Sequence, residues 1–199
     1  MQNFSQAAEN NKGPILAELQ TRFVEPGRVL EIGSGTGQHA VYFSEQMPHL
    51  VWQPTDCEPY FESLQQNLRD ISTKSMKSIE QPLYLRIGES KWPGESYDYA
   101  FTANVLHIMS ATLMPAFFEV VGRGMKSTGL CCIYGPFRYH GEFTTPSNEQ
   151  FDRWLKGNNP ESGIRDIEIV CAQAESNELT LLDDLSMPAN NQLLVFRKN

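Results

Sequence analysis

The sequence of 199 residues contains no long apolar run, and its mean hydropathy is −0.40. A membrane-spanning helix needs about 20 consecutive apolar residues, so the sequence excludes a membrane span. The stretch from Met1 to Lys12 is polar and lacks the apolar segment of a secretory signal peptide. We therefore expect a cytoplasmic protein that has no membrane partner.

Cysteine is scarce, and the four cysteines form no Cys-x-x-Cys pair. That spacing is typical of structural zinc sites and redox motifs. The adjacent Cys131 and Cys132 lie in an apolar run, which indicates a buried strand. No histidine, cysteine and aspartate cluster has the spacing of metal ligands. These absences predict a reducing compartment, no disulfide bonds and no metal site.

Positive charge is also in short supply, with 16 lysines and arginines against 24 acidic residues and a formal net charge of −8. Such a chain has no general attraction for phosphate backbones, which disfavours nucleic acid as a partner. Hydrophobic residues make up 40% of the sequence, enough for a sizeable core. We expect one domain over residues 1–199, with residues 1–28 as an N-terminal helical cap.

Three glycines follow the apolar run from Val29 to Ile32 at alternate positions, namely Gly33, Gly35 and Gly37. A helical pattern comes next, so the segment predicts a strand, a tight turn and a helix. Glycines allow a sharp turn and the close approach of a ligand, and the helix start offers unpaired N–H groups. A dinucleotide fingerprint needs glycine at position 38, where Gln38 stands, which disfavours a nicotinamide oxidoreductase.

Two acids accompany this glycine turn. Glu31 stands two residues before the first glycine, and Asp56 ends the second predicted strand, 19 residues beyond Gly37. In nucleotide-binding α/β folds, an acid at the latter place accepts hydrogen bonds from ribose hydroxyls. Asp56 therefore indicates a site for a ligand that contains ribose, and Glu31 strengthens the glycine-turn pattern.

Strand and helix patterns alternate along the rest of the chain. The predicted strands are 29–32, 50–54, 82–87, 97–103, 130–134, 178–186 and 192–198, and Asp56 marks the end of the second of them. The predicted helices are 7–11, 14–23, 37–46, 59–71, 112–125, 147–155 with Ser147 as its cap, and 164–175. We expect an α/β fold with a seven-stranded, mostly parallel sheet, helices on both faces and a C-terminal antiparallel hairpin.

Ligands of such sheets bind outside the carboxyl ends of the strands. The predicted topology brings five segments to that edge, namely the glycine turn, Asp56, the loop Gly88–Pro93, Asn104–His107 and Pro136–Arg138. We expect them to form one site. Trp92 in the loop Gly88–Pro93 can either stack on an aromatic ligand or only pack against the fold.

With these motifs in place, the sequence resembles the class I S-adenosylmethionine-dependent methyltransferases. The pattern Glu31-x-Gly33-x-Gly35-x-Gly37 resembles their first motif, and Asp56 matches their ribose-binding acid. The chain is more specifically similar to the domain-of-unknown-function family 938. The segments that carry this second resemblance are Ala8–Asn11, Ala103–Ile108, Gly135–Phe137, Pro146–Asn148, Phe151–Asp152, Gly163–Asp166 and Met187–Asn191.

The resemblance implies a Rossmann-like methyltransferase fold and S-adenosylmethionine as the cofactor. The implied cofactor site contains Glu31, Gly33, Ser34, Gly35, Gly37, Asp56, Glu89, Ser90, Trp92 and Asn104. One departure concerns the acid or amide that many class I enzymes carry after strand three to bind the adenine amino group. Glu89 and Ser90 are candidates for that role without a clean match to the pattern.

Methyl transfer from a sulfonium is an in-line displacement, for which the protein aligns donor and acceptor and excludes water. An oxygen or nitrogen acceptor can need a base to remove its proton. His107, after strand four, is the leading candidate, and Tyr139 is a weaker one. The alternative for His107 is a structural histidine bonded to backbone. Position 104 begins no Asn/Asp-Pro-Pro-aromatic motif, which further disfavours a nucleobase acceptor.

Residues 138–163 interrupt the alternation with mixed aromatic and polar side chains, and we expect them to form a lid over the acceptor. The candidate acceptor pocket contains Asn11, Phe137, Arg138, Tyr139, Trp154 and Arg165. Its aromatic residues would enclose an apolar or aromatic acceptor, and its arginines would bind a carboxylate. A packed connection with ordinary surface arginines is the competing interpretation.

The leading functional hypothesis is a methyltransferase with a small-molecule acceptor. Two alternatives stay open. One is a regulatory or interaction protein that binds S-adenosylmethionine without turnover, and the other is a protein-directed methyltransferase.

Overall fold

The computed structural model describes residues 4–71, 78–89, 94 and 96–199. The helices in this part of the chain are α1 (Gln6–Arg22), α2 (Gln38–Gln46), α3 (Phe61–Ile71), α4 (Met114–Gly124), α5 (Pro146–Asn158) and α6 (Ile167–Glu175). The strands are β1 (Gly27–Ile32), β2 (Leu50–Asp56), β3 (Leu83–Tyr84), β4 (Tyr97–Ala103), β5 (Met125–Gly135), β6 (Phe137–Tyr139), β7 (Glu142–Phe143), β8 (Arg165–Asp166), β9 (Leu179–Met187) and β10 (Asn191–Lys198).

The main sheet has seven described strands in the order β3-β2-β1-β4-β5-β10-β9. Strands β1 to β5 pair in parallel, while β10 runs antiparallel to both β5 and β9. A separate small sheet joins β7, β6 and β8. The predicted fold class, including the antiparallel C-terminal hairpin, is confirmed. Because β2, β1, β4 and β5 are neighbours, their carboxyl ends meet at one edge of the sheet.

Helices cover both faces of the sheet, as the alternation predicts. On one face Phe117 and Phe118 of α4 pack with β5 residues such as Ile133. On the other face Ile15 of α1 and Phe43 of α2 belong to a second buried cluster. Full burial of each such side chain stabilises the fold by about 1.5–3 kcal/mol. The two clusters hold the strands rigidly beneath the edge where the loops converge.

Helix α1 is one continuous helix, so the prediction of two separate helices was wrong. Pro14 lies inside it, although an interior proline removes a hydrogen bond and costs about 3 kcal/mol. Ile15 and Leu19 are completely buried on the face that the sequence predicted. Burial of this face offsets the free-energy cost of the proline. Local sequence rules do not include this tertiary contribution.

Several element boundaries also differ from the predictions. The third strand has two residues, Leu83–Tyr84, instead of six. The cap of α5 is Thr145, whose side chain accepts from the Asn148 amide, because Pro146 takes the first helical turn. The expected turn before the fifth strand lies inside β5, where Thr128 has a φ of 68°. Helix α6 begins at Ile167, since the two residues before it pair with β6.

None of the helices in the described ranges is long and apolar enough to cross a membrane.

Candidate functional site

The glycine turn connects β1 to α2, and all three of its glycines have left-handed backbone. The φ angles are 73° at Gly33, 55° at Gly35 and 80° at Gly37. A Cβ atom at Gly33 would lie 2.4 Å from Cγ2 of Val105, whereas a Cβ atom at Gly35 would meet nothing within 4 Å. Gly33 therefore permits close packing against the loop after β4, and Gly35 faces open space that a ligand can enter.

Main-chain hydrogen bonds fix this turn to the end of β2. The amides of Gly33 and Ser34 both donate to the carbonyl oxygen of Thr55, at 3.1 and 2.9 Å. The hydroxyl of Thr55 donates in return to the carbonyl oxygen of Glu31 at 2.8 Å. The turn is thus held in one conformation before any ligand arrives.

Asp56, the predicted ribose-binding acid, lies directly against this turn. Its Oδ2 atom accepts from the Gly35 amide at 2.6 Å, and its Oδ1 atom accepts from the Cys57 amide at 2.8 Å. Burial raises the pKa of the carboxyl group above its ordinary value, and the two amides oppose this shift. The structure therefore brings Asp56 and the glycine turn together, as the sequence spacing indicated.

Glu31 lies beneath the turn and is 2% exposed. Its Oε2 atom is buried without a hydrogen-bond partner in the described part of the chain. Burial raises the pKa of this carboxyl group to about 8; a hydrogen bond from Ser34 opposes the rise, and the charge of Asp56 adds to it. Glu31 is therefore mostly protonated at neutral pH, and a nearby cation would return it to the ionised form.

Gln38 has a role that the sequence did not reveal. Its Oε1 atom accepts from the Ser5 amide at 2.7 Å and from the Thr36 hydroxyl at 2.9 Å. Its Nε2 atom donates to the carbonyl oxygen of Ser5 at 3.2 Å. Because Ser5 caps α1, Gln38 ties the start of that helix to the glycine turn. The departure from a dinucleotide fingerprint at this position was its only signal.

Asn11, a predicted pocket residue, lies in a buried polar network between α1 and α2. Its Oδ1 atom is 2.7 Å from Nε2 of His39. Burial, and secondarily the charge of Lys12, lowers the pKa of His39 to about 4. Tyr134 extends this network through hydrogen bonds with Asn11 and Asn191. Asn11 thus links the helical cap to the carboxyl end of β5.

The loop after β4 contains Asn104 and His107. It contacts the glycine turn through Val105 and α5 through His107. Asn104 has a φ of 61°, and its amide donates to the carbonyl oxygen of Tyr134 at 2.9 Å. Nδ1 of His107 lies beside Gly135, 3.5 Å from the place of a Cβ atom there. Burial, followed by the charge of Arg165, lowers the pKa of His107 to about 4. Its imidazole is therefore neutral at physiological pH and able to accept a proton.

A single segment of the chain, Ser162–Arg165, binds four consecutive carbonyl oxygens of this loop. Arg165 Nε donates to Leu106 at 2.9 Å, and its Nη2 donates to Met109. The Gly163 amide donates to His107 at 2.8 Å, and the Ser162 hydroxyl donates to Ile108 at 2.7 Å. We call this segment the loop clamp. Two nitrogen atoms of Arg165 therefore donate hydrogen bonds to the loop, and Arg165 does not line the cleft beside His107.

Three of the predicted pocket residues have partners within the fold. Arg138 forms an ion pair with Asp166 at 2.5 Å. The hydroxyl of Tyr139 donates to Asp184 at 2.7 Å; burial and this carboxylate raise the pKa of the tyrosine. Phe137 is buried in the hydrophobic core. None of these three side chains is among the residues that line the cleft beside His107.

Beside His107 is a cleft of about 260 Å³. Trp154, another predicted pocket residue, is 63% exposed and lies at this cleft. The other lining residues are Ile108, Phe151, Leu155, Asn158, Asn159 and Ser162. Helix α5, which lies within residues 138–163, supplies most of one wall of this cleft.

Glu89 follows β3 and is an exposed residue. Its carboxylate is 3.7 Å from Nε of Arg86, which also binds Glu58 at 2.7 Å. Hydrogen bonds from Tyr84 and then Arg86 lower the pKa of Glu58 to about 2. Ser90 and Trp92 lie outside the described residues.

Solved structures with the same fold include several methyltransferases. An O-methyltransferase family protein from Burkholderia thailandensis has a TM-score of 0.82 at 13% identity, and the alignment covers 97% of this chain and 57% of that protein. Human N-acetylserotonin methyltransferase in complex with S-adenosylmethionine has a TM-score of 0.79 at 14% identity, with 98% and 53% covered. At these identities the likeness establishes the methyltransferase Rossmann-like fold. The chain spans little more than half the length of these two proteins.

The sequence also matches a family model over nearly its whole length. The matched residues are 2–198, and they include the glycine turn, Asp56, His107 and the loop clamp. The chain belongs to the family described as "Protein of unknown function (DUF938)".

Proposed function

We propose that this protein is an S-adenosylmethionine-dependent methyltransferase that acts on a small-molecule acceptor. The observation that carries the proposal is the buried carboxyl group of Glu31, which lies under a three-glycine turn and has one oxygen without a partner in the described chain. The fold shared with methyltransferases supports the same conclusion.

The residues at the turn fit such a cofactor. Gly35 has open space above it, and Asp56 is an acid at the end of the neighbouring strand, where ribose hydroxyls can donate to it. Glu31 would balance the positive charge of the cofactor by losing its proton. When bound, S-adenosylmethionine supplies an electrophilic methyl group on a positively charged sulfur.

The acceptor side of the site depends on His107. The neutral imidazole would remove the proton from the acceptor as the new bond forms. The loop clamp fixes the main chain on both sides of this histidine. Positioning of this kind keeps a base aligned with its substrate.

Calorimetric titration of the purified protein with S-adenosylmethionine, S-adenosylhomocysteine and NAD tests the proposal. We expect micromolar binding of the first two compounds and no binding of NAD. Absence of binding by both adenosyl compounds, in folded protein freed of copurified ligand, would overturn the proposal. Binding without methyl transfer to any compound in metabolite extracts would instead favour a regulatory protein.

A further inference from the structure

The walls of the cleft beside His107 are apolar and aromatic. The rings of Phe151 and Trp154 stack at a centroid distance of 5.9 Å and an interplanar angle of 13°. Phe151 also meets His107 edge to face at 5.4 Å. Ile108 and Leu155 complete the apolar lining. Such walls favour a flat ring, which gains area burial and stacking together.

The polar lining residues are uncharged, and most of them bind the main chain. Asn158 donates to the carbonyl oxygen of Trp154 at 2.7 Å, and Asn159 accepts from the Glu161 amide at 3.1 Å. Ser162 is part of the loop clamp. In the described part of the chain, no hydrogen bond joins the ring of His107 to another group. The imidazole, although only 5% exposed, is thus a lining group whose ring nitrogens are left for a ligand.

The basic side chains near the cleft have partners of their own. Arg153 pairs with Glu149 on α5, and Lys156 pairs with the buried Asp152 at 2.6 Å. Arg138 pairs with Asp166, and Arg165 serves the loop clamp. No charged side chain of the described residues lines the cleft. A carboxylate in this place would lose hydration and gain no countercharge from the cleft lining, since the guanidinium of Arg165 is bound to the main chain of the loop.

The volume of about 260 Å³ is below the lower end of drug-sized ligand pockets, which is about 300 Å³. A compact acceptor of one or two rings is the size that it suits. A neutral acceptor of this size differs from the carboxylate for which the arginines are candidates in the sequence.

We propose that the cleft binds an uncharged, flat aromatic alcohol, a phenol or naphthol in chemical class, with its hydroxyl directed at His107. This inference rests on the proposed function, because it assigns the acceptor to that site. In the reaction, the acceptor oxygen forms a bond to the methyl carbon and its proton passes to the imidazole. The bond between methyl and sulfur breaks, and its electron pair stays on sulfur, which becomes a neutral thioether.

The test compares naphthol with naphthoate, which match in ring system and differ in charge. Calorimetry on the full chain, saturated with S-adenosylhomocysteine, measures the affinity for each probe. We expect naphthol to bind at least about tenfold more tightly than naphthoate. We also expect Phe151→Ala to weaken the binding of naphthol, because one wall of the cleft is lost.

Two exposed isoleucines provide a matched pair of variants. Ile108 is 56% exposed at the rim of the cleft, and Ile169 is 52% exposed on α6. Ile108→Lys places a cation at the rim and should strengthen naphthoate binding relative to naphthol. Ile169→Lys should leave both affinities unchanged. Because both side chains are exposed, we expect both variants to fold, and thermal unfolding checks this.

Three results would overturn the proposal: naphthoate binding as tight as naphthol, no naphthol binding, or naphthol affinity that is insensitive to Phe151→Ala. Titration with S-adenosylhomocysteine alone, in the same samples, decides the proposed function separately. Naphthol binding without adenosyl binding would retain the cleft assignment and reject the methyltransferase. Binding of S-adenosylhomocysteine with no selectivity for naphthol over naphthoate would retain the methyltransferase and reject the cleft assignment.

Discussion

Oδ2 of Asp56 lies 2.6 Å from the amide nitrogen of Gly35, so the acid at the end of β2 holds the glycine turn. The second oxygen of the same carboxylate accepts from Cys57. A carboxylate has about four lone-pair sites, and these two amides occupy two of them. Asp56 can therefore keep the turn in place and still accept hydrogen bonds from a ligand.

Asp56→Ala should lower the affinity for S-adenosylmethionine by about tenfold to a hundredfold, since hydrogen bonds to a charged group contribute about 1.5–3 kcal/mol. Calorimetry measures the loss. Asp183→Ala on β9 is the control, because Asp183 is exposed and far along the sheet from β2. Equal affinity in the Asp56 variant and the wild type would remove Asp56 from the site.

Gly33→Ala and Gly35→Ala form a matched pair, because both positions have positive φ. For that reason alone, each substitution should lower the free energy of unfolding by about 1 kcal/mol. The added methyl group meets Val105 at position 33 and open space at position 35. We expect Gly33→Ala to lower the midpoint of urea unfolding much further, and Gly35→Ala to lose cofactor affinity in a folded protein. The opposite assignment would contradict the placement of the ligand above Gly35.

Glu31→Gln should change how stability depends on pH. The pKa of Glu31 is raised by folding from 4.5 to about 8, so its stabilising contribution is complete below pH 4.5 and is lost as the pH rises through 8. Folding lowers the pKa of His39 and His107, which makes stability rise with pH up to about 6.5. Both histidines are present in the variant as well, so this rise is common to the two proteins. From about pH 4.5 to about pH 8, wild-type stability should therefore fall relative to the variant by about 1.4 kcal/mol per pH unit.

Urea unfolding of the wild type and the Glu31→Gln variant across this range provides the measurement. Parallel curves for the two proteins would show that Glu31 is already ionised in the folded state. Bound S-adenosylmethionine should flatten the wild-type curve, because a cation near Glu31 lowers its pKa.

His107→Ala should abolish turnover and leave the affinity for S-adenosylmethionine within about twofold of the wild type. The loss follows from removal of the base, which typically contributes 10²–10⁴-fold. Because the pKa of His107 is about 4, the wild-type rate should fall only as the pH approaches that value. Once an acceptor has been found, a rate that falls near pH 6.5 instead would point to a different base.

Arg165→Met should disturb the loop clamp. It removes the hydrogen bonds to Leu106, Met109 and Glu161, for which we expect a loss of about 2–4 kcal/mol in the free energy of unfolding. It also removes a positive charge that lowers the pKa of His107, so the acid limb of the rate profile should move toward pH 6.5. Arg153→Met, on the exposed side of α5, should change neither quantity.

The sequence predicted the sheet and the meeting of the glycine turn with Asp56 because their signals are local. Each signal is complete within a few residues, namely the apolar run from Val29 to Ile32, the three glycines and the acid at position 56. Their convergence follows from the parallel order of the strands. The boundaries of α1 and the cap of α5 depend on packing and on Pro14 and Pro146, which local patterns interpret ambiguously.

The surroundings of the candidate acceptor residues were less predictable, because these side chains have partners that are distant in sequence. Arg165 serves carbonyl oxygens 56–59 positions away, and Tyr139 pairs with Asp184, 45 positions away. An arginine next to aromatic residues looks the same in sequence whether it binds a carboxylate or a backbone. Only the tertiary structure distinguishes the two.

Helix α5 uses different side chains for two purposes, and this division has an evolutionary consequence. Asp152 is buried and accepts from the Ile164 amide, which secures the loop clamp. Trp154 and Asn158 are exposed and line the cleft. Substitutions at the exposed positions can therefore reshape the cleft while the support of His107 stays intact. A lineage with this architecture can change the shape of its cleft by drift at the surface, with little loss of stability at each step.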